Sequence, residues 1–102
     1  MPDYPTDADL ARIEAWPATD LRGLFDFVRE LWSYPDFWGE IGAPAGCIPA
    51  TRIDTHITCS TGGWSGNESL IDALQSNLAA WLLTWYSSRR GGHYEFRIPR
   101  QA

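Results

Sequence analysis

The chain has 102 residues, of which 44% are apolar and 14% aromatic. That is enough for one hydrophobic core but not for two, and it excludes a disordered chain. The formal net charge is −5, and none of the eight basic residues is a lysine. General nucleic-acid binding, which needs a basic surface, is therefore disfavoured, and chemistry that needs a lysine is excluded.

The cysteines and the start of the chain indicate the compartment. Cys47 and Cys59 lack the close spacing of a metal site, which is typical of reduced thiols in a cytosol. The N-terminal residues have neither the basic nor the apolar region of a secretion signal, and no apolar run reaches the roughly twenty residues of a membrane-spanning helix. We expect one cytoplasmic domain over residues 1–102, without a cofactor and with a frayed end at residues 1–6.

Two helices are predicted near the N-terminus. Thr6 or Asp7 can cap a short helix that runs through Ala15. Thr19 can cap a second helix, in which apolar residues recur at spacings of three and four. This stripe is expected to face the core and contains Leu21, Leu24, Phe25, Val28, Leu31 and Trp32.

A connector rich in proline and glycine is expected at residues 39–50. The aromatic side chains beside it either pin it to the core or form an exposed patch. Aromatic side chains in loops often anchor protein partners, and neighbouring carboxylates favour a basic partner. The predicted partner-binding residues are Tyr34, Asp36, Phe37, Trp38, Glu40 and, from a later loop, Trp64.

The C-terminal half predicts a strand, a helix and a second strand. Apolar and polar residues alternate over residues 52–60 and again over residues 93–98. Between them, Ser65 and Glu68 match a capping box that opens a long helix, with Arg89 and Arg90 in or just past its last turn. The predicted core face of this helix contains Leu70, Ile71, Leu74, Leu78, Trp81, Leu82 and Trp85.

These elements predict an α+β fold, with two N-terminal helices followed by a β-α-β unit. The long amphipathic helix would pack on a small sheet of two or three strands. Short links at both ends of this helix favour parallel strands. Because two strands make a poor sheet, a third strand is expected from residues 39–50 or from a second subunit, so a homodimer is compatible with the pattern.

The loop before the long helix has two interpretations. A glycine-rich loop at a helix N-terminus is typical of anion or nucleotide sites, and the candidate ligands in the 60–68 loop are Ser60, Thr61, Gly62, Gly63 and Trp64. However, the spacing of a dinucleotide fingerprint is absent. Arg89 and Arg90 would also lie roughly 30 Å away, at the far end of the helix. A capped turn without a ligand is therefore favoured.

The two histidines suggest a weaker hypothesis. His56 and Asp54 share the polar face of the first strand, and His93 and Glu95 share that of the second. If the strands are neighbours, these four side chains could bind a metal or perform acid–base chemistry. A solvated face with cross-strand pairs, such as Asp54 with Arg97, is the favoured alternative. No catalytic residue or metal site is therefore predicted.

Two segments resemble small proteins encoded by bacteriophages and prophages. The segments are STGGWSGNE, at residues 60–68, and SSRRGGHYEF, at residues 87–96. The resemblance covers roughly the C-terminal 45 residues and implies a bacterial host cytoplasm, but it assigns no chemistry. The predicted function is a non-enzymatic interaction protein that acts on a bacterial host protein.

Overall fold

The computed structural model describes residues 4–33, 35–42 and 53–99. The N-terminal part forms helices α1 (Asp7–Glu14) and α2 (Leu21–Leu31), a 3-10 turn (Pro35–Phe37) and strand β1 (Trp38–Gly42). Strand β2 (Ile53–Ser60) is followed by helices α3 (Ser65–Ser76) and α4 (Leu78–Thr84), and then by strands β3 (Trp85–Arg89) and β4 (His93–Pro99). The predicted α+β class is confirmed.

The first two helices begin at polar caps. The Thr6 hydroxyl accepts from the Asp9 amide and the Asp9 carboxylate accepts from the Thr6 amide, which completes a capping box. For α2 the predicted cap at Thr19 is wrong by one residue, because the side chain of Asp20 accepts from the Gly23 amide. A carboxylate at the positive end of the helix is also the better electrostatic choice.

The four strands form one sheet in the order β1-β2-β4-β3, and every neighbouring pair is antiparallel. The strands predicted at residues 52–60 and 93–98 are β2 and β4, and their predicted parallel pairing is therefore wrong. The chain forms β3 directly after α4 and then reverses through a hairpin turn, so β4 returns between β2 and β3. The third strand expected from residues 39–50 is β1, which begins one residue earlier, at Trp38, and β3 is a fourth strand that lies where the helix was expected to end.

The single long helix of the prediction is two helices followed by a strand. Asn77 has φ −85° and ψ 79°, which interrupts α3, and its side chain accepts from the Ala80 amide to start α4. α4 ends at Thr84, after which Trp85 takes an extended conformation. Arg89 therefore lies in β3 and Arg90 in the hairpin turn, and the predicted helix stop at Gly91-Gly92 is part of this turn.

All described helices contribute to one core with the inner face of the sheet. Phe25 of α2 packs on Phe96 of β4, with ring centroids 5.1 Å apart, and Trp81 of α4 meets the same ring at 5.5 Å. Ile57, Cys59 and Ile98 are buried on this face. None of the described helices combines the length and apolar character needed to cross a membrane.

Candidate functional site

Residues 60–68 and residues 87–96 meet in space. The Thr61 amide donates to the Gly92 carbonyl at 3.0 Å, and the hydroxyl of Ser60 lies 2.5 Å from Nδ1 of His93. Arg89 is paired with His93 across the hairpin. The predicted separation of roughly 30 Å between the loop and the arginines is therefore wrong, because it assumed a helix that reached Arg89.

Several polar groups of the loop after β2 form hydrogen bonds with one another. The Trp64 amide donates to the Thr61 carbonyl at 3.0 Å, and the Gly63 amide contacts the Thr61 hydroxyl at 3.4 Å. Gly62 has a positive φ of 62°, and a Cβ there would collide with the ring of Phe37. These contacts account for the sequence of the turn without a ligand.

The predicted capping box at Ser65 and Glu68 is wrong. Trp64 occupies the N-cap position and makes no capping hydrogen bond through its side chain. Ser65 is the first helical residue, and its hydroxyl lies 2.9 Å from the hydroxyl of Tyr4. The Tyr4 ring also lies 4.6 Å from the Trp64 ring, centroid to centroid, so Trp64 contacts the N-terminal segment.

Asn67 joins this loop to α2. It is fully buried, and its side chain accepts from the Ser33 amide at 2.8 Å. The same side chain donates to the carbonyls of Ser33 and Thr61, at 2.9 and 3.3 Å. A buried amide whose hydrogen bonds are all made within the chain has a structural role. Anion binding by the 60–68 loop stays a prediction, which amide shifts on titration with phosphate would test.

The outer face of the sheet carries a polar network. Glu95 lies at its centre, with its carboxylate 3.5 Å from Nε2 of His56 and 3.5 Å from the Arg89 guanidinium. Arg97 donates through Nε to Nδ1 of His56 at 3.2 Å, and its guanidinium lies 3.7 Å from the centroid of the Tyr86 ring. Each of these polar groups thus has a partner within the chain.

The four candidate catalytic residues do not form one site. His56 contacts Glu95, whereas His93 lies opposite Ser60, four residues further along β2. At about 3.3 Å per residue the two histidines are roughly 13 Å apart along the strand. The side chain of Asp54 lies outside the described residues, and Arg97 is in register with His56. Among the described residues, no three His, Cys, Asp or Glu side chains could hold a metal ion.

A shallow cavity of about 250 Å³ lies on this outer face, beside the hairpin. It is lined by Thr58, Arg89, His93, Tyr94 and Glu95. The lining contains one carboxylate and one guanidinium that are already paired, so it has no concentrated charge for a small anion.

The predicted partner-binding aromatics mostly have contacts within the chain. Trp38 packs edge-on against Trp32 at 5.2 Å and donates to Glu40 at 2.9 Å. The Glu40 carboxylate also pairs with Arg29 of α2 at 3.3 Å. Phe37 and Asp36 are exposed, and Tyr34 lies outside the described residues. The role of these side chains in partner binding stays a prediction.

The largest exposed apolar side chains of the C-terminal half lie elsewhere, at the junction of α4 and β3. We call this region the 78–86 surface. Its members and their exposed fractions are Leu78 62%, Leu82 71%, Leu83 54%, Trp85 45% and Tyr86 49%. The expectation that Leu78, Leu82 and Trp85 face the core is therefore wrong. The break at Asn77 changes which side of α4 meets the sheet, and Trp81 rather than its neighbours packs on Phe96.

A sequence signal for this surface did exist. Residues 73–88 contain no charged side chain, and α4 is apolar on every side. A short helix with apolar residues all round cannot bury all of them against one sheet. Exposure of part of that set follows from the geometry of a two-layer fold.

The chain matches no protein-family model, and neither curated proteins nor solved structures show a significant similarity to it. Its function is therefore inferred from the geometry of the described residues.

Proposed function

We propose that the protein is a non-enzymatic interaction protein that binds a partner protein through the 78–86 surface. The observation that carries the proposal is the exposure of five large apolar side chains within nine consecutive residues. Tyr86 contacts Arg97 on the outer face of the sheet, so the other four side chains expose on the order of 400 Å² if each presents about 150–250 Å² when fully exposed. Patches of roughly 300–600 Å² on monomeric proteins are often functional.

The composition of the surface supports a protein partner. Interfaces are enriched in tryptophan and depleted of charge at their centres, and Trp85 lies in a stretch, residues 73–88, that contains no charged side chain. Trp85 stacks on Trp81 at 6.3 Å, which holds its exposed ring in place. A ring that is already ordered loses little entropy when a partner covers it. The resemblance to phage-encoded proteins implies that the partner belongs to the bacterial host.

The proposal is tested by capture from a bacterial lysate with two matched variants. Leu82→Glu places a charge at the most exposed apolar position and should lower partner recovery on the order of tenfold or more. Phe37→Ala alters the aromatic group beside β1 and should leave recovery unchanged. Circular dichroism checks that both variants fold.

The outcomes separate the two candidate surfaces. Loss with Leu82→Glu alone supports the proposal. Loss with Phe37→Ala alone would move the interface to the predicted residues 34–40. If both variants capture the same proteins as the parent chain, the proposed function is wrong.

A further inference from the structure

Strand β3 lies at the edge of the sheet with β4 as its only neighbour among the described strands. Four of its five residues, Trp85, Tyr86, Ser88 and Arg89, are exposed. An edge strand presents unpaired N–H and C=O groups, and proteins commonly protect it with proline, lysine or a covering element. β3 contains neither proline nor lysine, and its protective features are Arg89 at its C-terminal end and one irregularity between Trp85 and Ser87.

The two sides of this edge differ in chemistry. On the helix side, the exposed ring of Trp85 stacks on Trp81 of α4, and the next residue of that helix, Leu82, is 71% exposed. On the outer side, Arg89 and Arg97 lie beside His56 and His93, with Glu95 as the single carboxylate of this described group. Glu95 already pairs with Arg89, so within this described group the arginines exceed the carboxylates by one, in a chain whose net charge is −5.

We propose that β3 receives an extended segment of the partner as a fifth strand, and that this segment alternates apolar and acidic residues. Successive side chains of a strand point to opposite faces, so one such segment satisfies both sides of the edge. Its apolar residues would pack on Leu82 and Trp85, and one of its carboxylates would share the exposed Arg89 guanidinium with Glu95. The inference rests on the proposed function and names the partner's chemistry.

The same charges argue against two other occupants. A second copy paired through its own β3 brings another Arg89 and no carboxylate, because the strand reads WYSSR. It therefore supplies no acidic group to pair with Arg89. A nucleic acid would supply negative charge but no apolar residues to cover Leu82 and Trp85.

The test uses the full chain and a labelled eight-residue peptide of alternating valine and glutamate, followed by fluorescence anisotropy. Binding should occur in the micromolar to millimolar range, and a valine–lysine peptide should not bind. N-methylation of alternate peptide amides should abolish binding, since it removes the backbone hydrogen bonds of strand addition.

Charge reversal supplies the matched pair of variants. Arg89 is 74% exposed, so Arg89→Glu should fold, and it should weaken binding of the glutamate peptide on the order of tenfold while admitting the lysine peptide. Arg90→Glu makes the same change of charge in the turn outside β3 and should have a smaller effect. Equal effects of the two variants would indicate unspecific attraction and would overturn the inference.

Two further results would also overturn it. One is equal binding of the glutamate and lysine peptides. The other is a self-association, seen by sedimentation, that Trp85→Ala abolishes. Capture of a host partner that depends on Leu82 but is not competed by the glutamate peptide would reject the added strand and leave the proposed function standing.

Discussion

At the scale of the residue, Cys59 is a packing group on the inner face of β2. Only 1% of it is exposed. Burial disfavours the thiolate and raises the pKa of the thiol from 9.0 to about 12. Because the thiolate is the nucleophile of cysteine chemistry, the side chain is unreactive at neutral pH.

This shift predicts a loss of stability in alkali. In the unfolded chain Cys59 ionises near pH 9, whereas the folded chain retains the proton up to a pKa of about 12. Between these values ionisation stabilises only the unfolded state. The free energy of unfolding therefore falls with rising pH, by up to about 1.4 kcal/mol per pH unit. Urea denaturation at several pH values between about 8 and 11 measures this slope.

Two variants isolate the contribution of the thiol. Cys59→Ala should flatten the slope, while Ile57→Val, a smaller truncation on the same buried face, should lower stability without changing the slope. Burial and the nearby carboxylates of Asp72 and Glu68 also raise the pKa of Tyr94, so some slope remains in every variant. Identical slopes in the parent chain and Cys59→Ala would contradict the prediction.

At the scale of the element, the β3–β4 hairpin fixes the position of the 60–68 loop. Gly92 has φ +81°, and its carbonyl accepts from the Thr61 amide. A Cβ on Gly92 would collide with the Thr61 hydroxyl, so both the backbone and the space require glycine.

Replacement of Gly92 by alanine should lower stability for two separable reasons. Gly63 also has a positive φ, of 74°, but a Cβ there would meet no atom within 4 Å. Gly63→Ala should therefore cost about 1–2 kcal/mol, for the left-handed backbone alone. Gly92→Ala should cost roughly 1–2 kcal/mol more, because the collision adds to the backbone term. Thermal or urea unfolding measures both, and equal costs would show that the loop and hairpin are not in contact.

At the scale of the whole molecule, two buried asparagines hold the N-terminal helices to the C-terminal ones. Asn67, at the start of α3, binds the backbone of Ser33 just after α2. Asn77, between α3 and α4, donates to the carbonyls of Ile13 and Trp16 around the end of α1. These hydrogen bonds connect the two ends of α3 to the N-terminal helices.

Removal of either amide should destabilise the entire domain. Asn67→Ala and Asn77→Ala each leave buried backbone groups without partners and should lower the free energy of unfolding by about 2–4 kcal/mol. Since all elements share one core, tryptophan fluorescence and circular dichroism should still report one transition. Gln75→Ala, at an exposed site on α3, should change stability by less than about 0.5 kcal/mol. Separate transitions for the two probes would show that the helical layer is not one cooperative unit.

The buried positions of individual helices and strands could be predicted from the sequence. The stripe of α2 and the alternation of β2 and β4 place Leu24, Phe25, Ile57 and Phe96 in the core, where the structure has them buried. Such patterns are set by helix and strand geometry, which acts over neighbouring residues. The Thr6 cap was predictable for the same reason, because its partner Asp9 lies only three residues away.

The 78–86 surface could be predicted from the sequence only in part. The sequence shows that residues 73–88 carry no charge, but not which of them reach solvent. Trp85 and Tyr86 suit a helix end or a strand equally well in pattern. They become a strand because β4 offers them a hydrogen-bonding partner, and that partner lies beyond the turn.

The sequence by itself determined the class of the fold, the core positions of α2, β2 and β4, and the exclusion of lysine chemistry, because composition and periodicity are local properties of the chain. Only the tertiary structure decided that β2 and β4 run antiparallel, that Ser60 and Arg89 lie on either side of His93, and that Leu82 and Trp85 are exposed. Those outcomes depend on where the chain reverses and on which surface each element meets. Both are fixed by backbone pairing and packing between residues distant in sequence.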